Sequence, residues 1–420
     1  MPKKPSVIQM ESSRRSFIRK GILGAASAWI SSDILLAGID SLDSPLTSFD
    51  RGWKQIRSQF ILKKGVTYMN NASLGMPPIP VVKAVQNGYE AISMEPLHGK
   101  HDLQESIREK VISGIADTFG ANPDEIVLTR NASEALHLQA ISLDLKKGDE
   151  VIITTQEHPA GLRPWMYRQK RDGIRVKPIF IPSPLTSESD VLNRFESVIT
   201  KRTKAISFCH VTRGGHLYPV KKLSALAKEK GITVLVDGAQ AIGQFPLHLH
   251  DLGCDAYAVS LHKWVLAPAG TGFLFLRKES RDQFQSPFEP NPFEDHPGFD
   301  PPGTKDFPVR AAIDAALQFM NQLGWDQIEA RCRYLSDHLK DGLRLIDNVQ
   351  ILSGRHHQLS APGSTIFEKK GLDAIKAVSL MEKRIQTHID EHQRDGHNAI
   401  RISTHIYNST AEIDRLLDAL

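Results

Sequence analysis

At 420 residues, with 40% hydrophobic and 24% charged side chains, the chain has ordinary globular composition and the length for one large domain and a smaller one. Its 52 basic and 48 acidic residues leave a formal charge of +4, and Lys3, Lys4, Arg14, Arg15, Arg19 and Lys20 carry much of that excess. The body is therefore near neutral and offers no electrostatic footing for nucleic acid or an acidic membrane surface. The three cysteines, Cys209, Cys254 and Cys332, fit neither a disulfide framework nor a zinc site, so buried packing is expected of each.

The first element is a segment apart. Arg14 and Arg15, with Phe17, Arg19 and Lys20 behind them, precede an apolar, small-residue stretch from Gly21 to Ile30. Charge followed by a short apolar run is the layout of a secretory signal, and the arginine pair resembles a twin-arginine export signal. That implies a periplasmic or exported protein and a passage through the twin-arginine machinery. An amphipathic arm on a cytoplasmic protein is the alternative. Ser31, Ser32 and Asp33 interrupt the run before it reaches the ~20 apolar residues of a spanning helix. Ala26-Ser27-Ala28 has the small-x-small form of a cleavage site, and residues 1–40 are set aside as signal and linker.

Beyond a polar linker (residues 40–58), continuous apolar runs alternate with helical patterns. Strands are expected at 125–129, 150–154, 205–209, 232–236, 256–260 and 272–276, and helices at 134–143 and 220–230 among others. Strands apolar on both faces, with helices between them, predict a mostly parallel sheet covered on both sides. The fold class expected is α/β, a three-layer large domain (residues 81–305) with a smaller α+β domain from residues 41–80 and 306–420. Residues 279–308, rich in Pro, Phe and Asp, read as a hinge, followed by a long helix over 309–346. Weak strands at 364–367 and 399–403 and a last helix over 411–420 complete the chain.

Ligands of parallel α/β sheets bind beyond the carboxyl ends of the strands, and four such ends carry unusual residues. Asp237 follows the run 232–236; a carboxylate there pairs with a protonated ring nitrogen or caps the next helix. Lys263 lies just past 256–260, beside Trp264; burial would lower its pKa toward the neutral amine, whereas most lysines are solvated. Ser260 and His262 add donors suited to a phosphate. Asn131 to Ala135 opens a helix whose free amides form a phosphate site, or else Ser133 caps its own helix. His158, after 150–154, either stacks on a flat ring or is an ordinary core or surface histidine.

Taken in order, the phosphate turn, His158, Asp237 and Lys263 resemble the class V aminotransferase family of fold-type I pyridoxal 5′-phosphate (PLP) enzymes. The resemblance runs from Tyr68 to Leu420 and is most specific at Val236 to Ala241 and Ser260 to Trp264. His210-Val211-Thr212, Gly303 to Asp306 and Arg401 to Asn408 are most similar to the isopenicillin N epimerase-like branch. The resemblance implies that Lys263 holds PLP as a Schiff base and moves the proton at the substrate α-carbon. Asp237 would keep the pyridine nitrogen protonated, Gln240 would bond the ring oxygen, and His158 would stack on the ring. Ala132 and Ser133, with Ser260 and His262, would grip the phosphate, and Thr212 would also touch the cofactor. Arg401, with Asn71, would take the substrate carboxylate. Gly303 and Thr304 match a segment that reaches the neighbouring subunit's phosphate, so a homodimer is implied.

The reaction is read from departures. Desulfurases of this family carry a nucleophilic cysteine shortly before the carboxylate arginine, and this chain has none between Phe367 and Arg401. Thr212 stands where desulfurases often place Asn. Arg213-Gly214-Gly215-His216 replaces a smaller, hydroxyl-rich run of epimerase-like relatives, which changes side-chain recognition. The expectation is an aminotransferase acting on an amino acid or an amino-acid-containing metabolite. An epimerase or a carbon–sulfur lyase is the alternative on the same fold, and a non-catalytic binding protein is the contrasting class. His98 and His101 are candidates for reading the substrate. A metal site at His248-Leu249-His250 or at His356-His357 lacks an acidic or cysteine partner at ligand spacing, so no metal is expected.

Overall fold

The computed structural model describes residues 49–288, 298–354 and 356–420. The expected export signal lies outside the described residues, as does the middle of the 279–308 hinge. By compactness the chain divides between Ile56 and Arg57, and the unit from Arg57 onward holds both large sheets. No helix among the described residues is long and apolar enough to cross a membrane.

The centre of this unit is a seven-stranded sheet. Its strands are β2 (Ile126–Thr129), β3 (Glu150–Thr154), β4 (Arg175–Ile179), β5 (Thr203–Cys209), β6 (Thr233–Asp237), β7 (Ala256–Ser260) and β8 (Gly272–Leu276). The order is β2-β8-β7-β6-β5-β3-β4. β4, β3, β5, β6 and β7 run parallel, and β8 is antiparallel to both its neighbours. Every residue of β2, β3, β6, β7 and β8 is buried, as strands covered on both faces require. β4 is an edge strand with exposed Arg175 and a proline, which is why it shows no continuous apolar run.

Register decides where chemistry sits. Cys209 pairs with Asp237, Asp237 with Ala258, Ser260 with Gly272, and Gly272 with Thr129. One edge of the sheet therefore collects the carboxyl ends of β2, β5, β6 and β7, and most of the expected site residues lie on segments that leave from it.

A second sheet, β12-β13-β10-β9, joins β9 (Val349–Ile351), β10 (Ser364–Lys369), β12 (Asp390–Arg394) and β13 (His397–Ser403), all antiparallel. A two-stranded pair links β1 (Thr67–Tyr68) to β11 (Thr387–His388). The helix Trp325–Arg344 buries Ile328, Cys332, Leu335, Leu339 and Leu343 at helical spacing, and the last three pack with Phe367, Ile400 and Ile402. The long helix expected over 309–346 is three helices, Phe307–Ala311, Ile313–Leu323 and Trp325–Arg344; Gly324, at φ +81°, ends the second. Part of the expected 40–58 linker is helical (Phe49–Arg57).

Candidate active site

After β2, Asn131 caps the helix Ala132–Ser142 by accepting from the Glu134 amide at 2.9 Å. Ser133 is thereby spared that task and faces the cavity. The Ala132 amide donates to Ser260 Oγ at 2.9 Å, which joins the helix start to the end of β7. A helix amino terminus with a serine on either side is a competent anion seat.

Lys263 sits on a single helical turn, Leu261–Trp264, whose backbone is clamped from several sides. The Gly75 amide donates to the His262 carbonyl at 2.8 Å, Asn71 Nδ2 to the Lys263 carbonyl at 3.3 Å, and His405 Nε2 to the Trp264 carbonyl at 3.1 Å. A side chain at position 75 would collide with the Lys263 carbonyl oxygen, so only glycine admits this approach. Trp264 is fully buried, stacks on His405, and donates to Gln240 Oε1 at 2.8 Å. The amine is thus held in one place. Burial first, with Arg401 and Arg213 adding to it against the pull of Asp237, brings its pKa down to about 8.

Asp237 is buried at the end of β6, where Oδ1 accepts from the Ala239 amide at 2.9 Å. Burial raises its pKa, with the Ala239 amide and Lys263 opposing. His158 caps the helix Pro159–Asp172 by accepting from the Ala160 amide at 3.1 Å, and its ring faces the cavity. Loss of solvation and the cations Lys263, Arg394, Arg213 and Arg401 bring its pKa to about 4, so it is neutral at physiological pH.

The far side of the cavity is basic. Arg401, on β13, is buried and hydrogen-bonded to Asp390 and, at 3.2 Å, to Asn70 Oδ1. Desolvation brings its pKa down to about 10. Asp390 lies opposite Arg401 in the β12–β13 register and also meets Arg213 Nη2 at 3.1 Å.

One cavity of about 230 Å³ is lined by Ala132, Ser133, His158, Asp237, Gln240, Ser260, Lys263 and Arg401, eight of the expected residues. The others stand elsewhere. Asn71 is spent behind the wall on Lys263 and on the Tyr407 hydroxyl, 2.7 Å away; its neighbour Asn70 reaches Arg401. Thr212 turns its hydroxyl to His216 at 3.2 Å, and the next residue, Arg213, lines the cavity instead. His262 bonds the Thr271 carbonyl at 3.0 Å and does not line the cavity. Gly303 and Thr304 are exposed and outside it, as are His98, paired with Glu95, and His101. His250 is paired with Glu125 at 2.6 Å, and no metal-holding cluster occurs among the described residues.

Two lining residues and one buried neighbour are not legible in the sequence. Asp390 lies in a wholly polar strand, and only pairing with Arg401 reveals it. Arg213 stands out in the sequence as a departure, with nothing there to place it in the cavity. Glu157, beside His158, is buried next to Asp237 and accepts from Thr154 Oγ1 at 2.6 Å and Cys209 Sγ at 3.1 Å.

The family model described as aminotransferase class-V matches residues 67–416. The chain belongs to the class V aminotransferase family. Among its relatives, a probable cysteine desulfurase of Pyrococcus abyssi is 27% identical, covering 87% of this chain and 96% of the relative. An isopenicillin N epimerase of Amycolatopsis lactamdurans is 28% identical, covering 88% and 98%. A structure of C-DES with glycine covalently linked to its PLP cofactor superposes with a TM-score of 0.80 at 23% identity, covering 86% and 98%, which shows the shared fold. The donor set of this class V family member fits PLP: a buried carboxylate at the cavity needs a cationic partner, and a pyridinium nitrogen is one. The helix start at Ala132 suits the phosphate, and a lysine near neutrality suits the aldehyde.

Proposed function

We propose that this chain is a PLP-dependent enzyme that works at the α-carbon of an amino-acid substrate, by transamination. The observation that carries the reading is the convergence of Lys263, Asp237 and Arg401 on one cavity. When bound, PLP supplies an electron sink for charge developing at that carbon. Asp237 would hold a proton on the pyridine nitrogen. His158, neutral, would face the ring without adding charge. The Ala132 amide, bonded here to Ser260 Oγ, would turn to the phosphate together with the Ser133 amide and the Ser260 hydroxyl. Arg401 orients the substrate carboxylate. Lys263, the sole amine among the cavity-lining residues, takes and returns the α-proton.

That single base favours transamination over epimerisation by two opposed bases, because transamination needs only one to move the proton. The other titratable lining groups are weak candidates: Cys209 has its pKa raised well above the usual thiol by burial, His158 titrates at about 4, Asp237 is engaged by the Ala239 amide, and Asp390 is held between Arg213 and Arg401. The buried Cys209 thiol is also a poor nucleophile, and no cysteine occurs between β10 and Arg401, so desulfuration is not part of the proposal. A carbon–sulfur lyase is the second reading, supported by the fold shared with the cystine C–S lyase C-DES. The arginine pair at the amino terminus supports export to the periplasm as part of the proposal.

The test begins with borohydride reduction of PLP-loaded protein and peptide mapping, which is expected to find the label on Lys263. Amino acids are then expected to convert the visible cofactor band to the amine form, and a keto acid to restore it. Sulfide release without such conversion selects the lyase. Inversion at the α-carbon without conversion selects an epimerase. No cofactor band at all removes the PLP reading.

A further inference from the structure

The proposed reaction accounts for Arg401 and leaves a second guanidinium in the same cavity unexplained. Arg213 stands on a tight turn after β5, where the Gly215 amide donates to the Thr212 carbonyl at 2.9 Å and the Thr212 amide to the His216 carbonyl at 3.0 Å. Gly215 is at φ +77°, and a Cβ there would fall 2.7 Å from Ser364 Cβ. His216 pins the turn by reaching the Leu352 carbonyl at 3.0 Å. The turn is therefore a rigid mount, and what it presents to the cavity is Arg213.

The two arginines are neighbours. Oδ2 of Asp390 contacts Nη2 of both, so they are no farther apart than one carboxylate oxygen can span. Each also keeps a buried Nε–H with no partner among the described residues. A buried, unpaired guanidinium donor is unfavourable unless something supplies an acceptor. Both cations act on Lys263 and on His158, which places them within electrostatic reach of the reacting end. The chain's own answer to this charge is Asp390, with the Glu391 carbonyl 2.7 Å and its carboxylate 3.1 Å from Arg213 Nη2. Asp390 thus places one carboxylate oxygen between two guanidiniums.

We infer that the cavity takes an amino substrate with two anionic groups, Arg401 receiving the α-carboxylate and Arg213 a second carboxylate on the side chain. This rests on the PLP reading above and names its substrate class: acidic, dicarboxylic amino compounds in preference to neutral ones. The planar fork of Arg213 suits a side-chain carboxylate, which a lysine would hold only as a point charge.

The experiment measures binding to PLP-loaded protein by calorimetry, with glutarate and succinate as two-carboxylate probes and butyrate as a one-carboxylate probe. None has an amine, so no chemistry intervenes. Glutarate or succinate is expected to bind roughly tenfold or more tighter than butyrate, as a charge-assisted hydrogen bond implies. Arg213→Met is expected to abolish that preference, all three probes binding this variant alike, and Arg213→Lys to retain part of it. Equal binding of the three probes to the unaltered protein overturns the inference. So does an Arg213→Met protein that melts earlier with its preference intact, which would make Arg213 a strap for the β12–β13 hairpin. The cofactor band, recorded on the same samples, separates these failures from failure of the PLP reading.

Discussion

Glu157 offers a test of the site's electrostatics that needs no substrate. It is buried near Asp237, and desolvation, with Asp237 adding to it, pushes its pKa from 4.5 to about 7 against the hydrogen bonds from Thr154 and Cys209. In the unfolded chain Glu157 ionises at the ordinary carboxylate pKa. Between pH 4.5 and 7 the folded state therefore binds the extra proton, and stability falls as pH rises through that window. Above pH 7 the full penalty stands, of order 3 kcal/mol for a shift of about 2.5 units. Glu157→Gln keeps the shape and removes the titration. The variant is expected to be less stable than or equal to the parent near pH 4.5, and more stable near pH 8 by up to ~3 kcal/mol less the cost of one altered hydrogen bond, about 1 kcal/mol. Urea unfolding of both proteins at half-unit pH steps gives the difference curve directly. A difference that does not change with pH would refute the argument, because it would show that Glu157 titrates alike in both states.

Capture of PLP by the cofactor-free protein requires the neutral Lys263 amine, so its rate is expected to rise with pH and to level off above about 8, read by stopped-flow absorbance. A profile still rising past pH 10 would show an unperturbed lysine. Gly75→Ala drives a methyl group into the Lys263 carbonyl, and it is expected to lower stability by roughly 2–3 kcal/mol and to slow that capture, measured by thermal melting and the same stopped-flow trace. Asp390→Asn removes the internal anion between Arg213 and Arg401. It is expected to tighten butyrate binding by about tenfold, and unchanged butyrate affinity would show that Asp390 does not compete with a ligand.

The legible parts of the fold are those where burial is continuous. β3, β7 and β8 coincide with the expected runs because every residue in them is buried, and the edge of the sheet that carries the site follows from their ends. β12 leaves no trace because Asp390–Arg394 is polar throughout, and its strand character comes from pairing with β13. The site divides along the same line. Lys263, Asp237, Ser260 and His158 follow legible strands and reach the cavity. Thr212 does not, because the turn pinned by Gly215 and His216 hands the cavity to the adjacent Arg213. A one-residue choice of that kind is set by tertiary contacts to Leu352 and Ser364, which lie far along the chain. Gly303 and Thr304 are expected to serve a neighbouring subunit, and within one chain nothing draws them to the cavity.

The charges around Lys263 also bear on how such a site would respond to its substrate. At one end lies Asp237, which favours the protonated amine; at the other lie Arg401 and Arg213, which oppose it. An anion settling on the arginines cancels part of that repulsion, so the pKa of Lys263 rises when a carboxylate binds. By linkage, protonating Lys263 strengthens anion binding by the same factor. A lysine brought to about 8 in the empty site would thus hold its proton more firmly while an anion sits on the arginines, and release it more readily when the anion leaves.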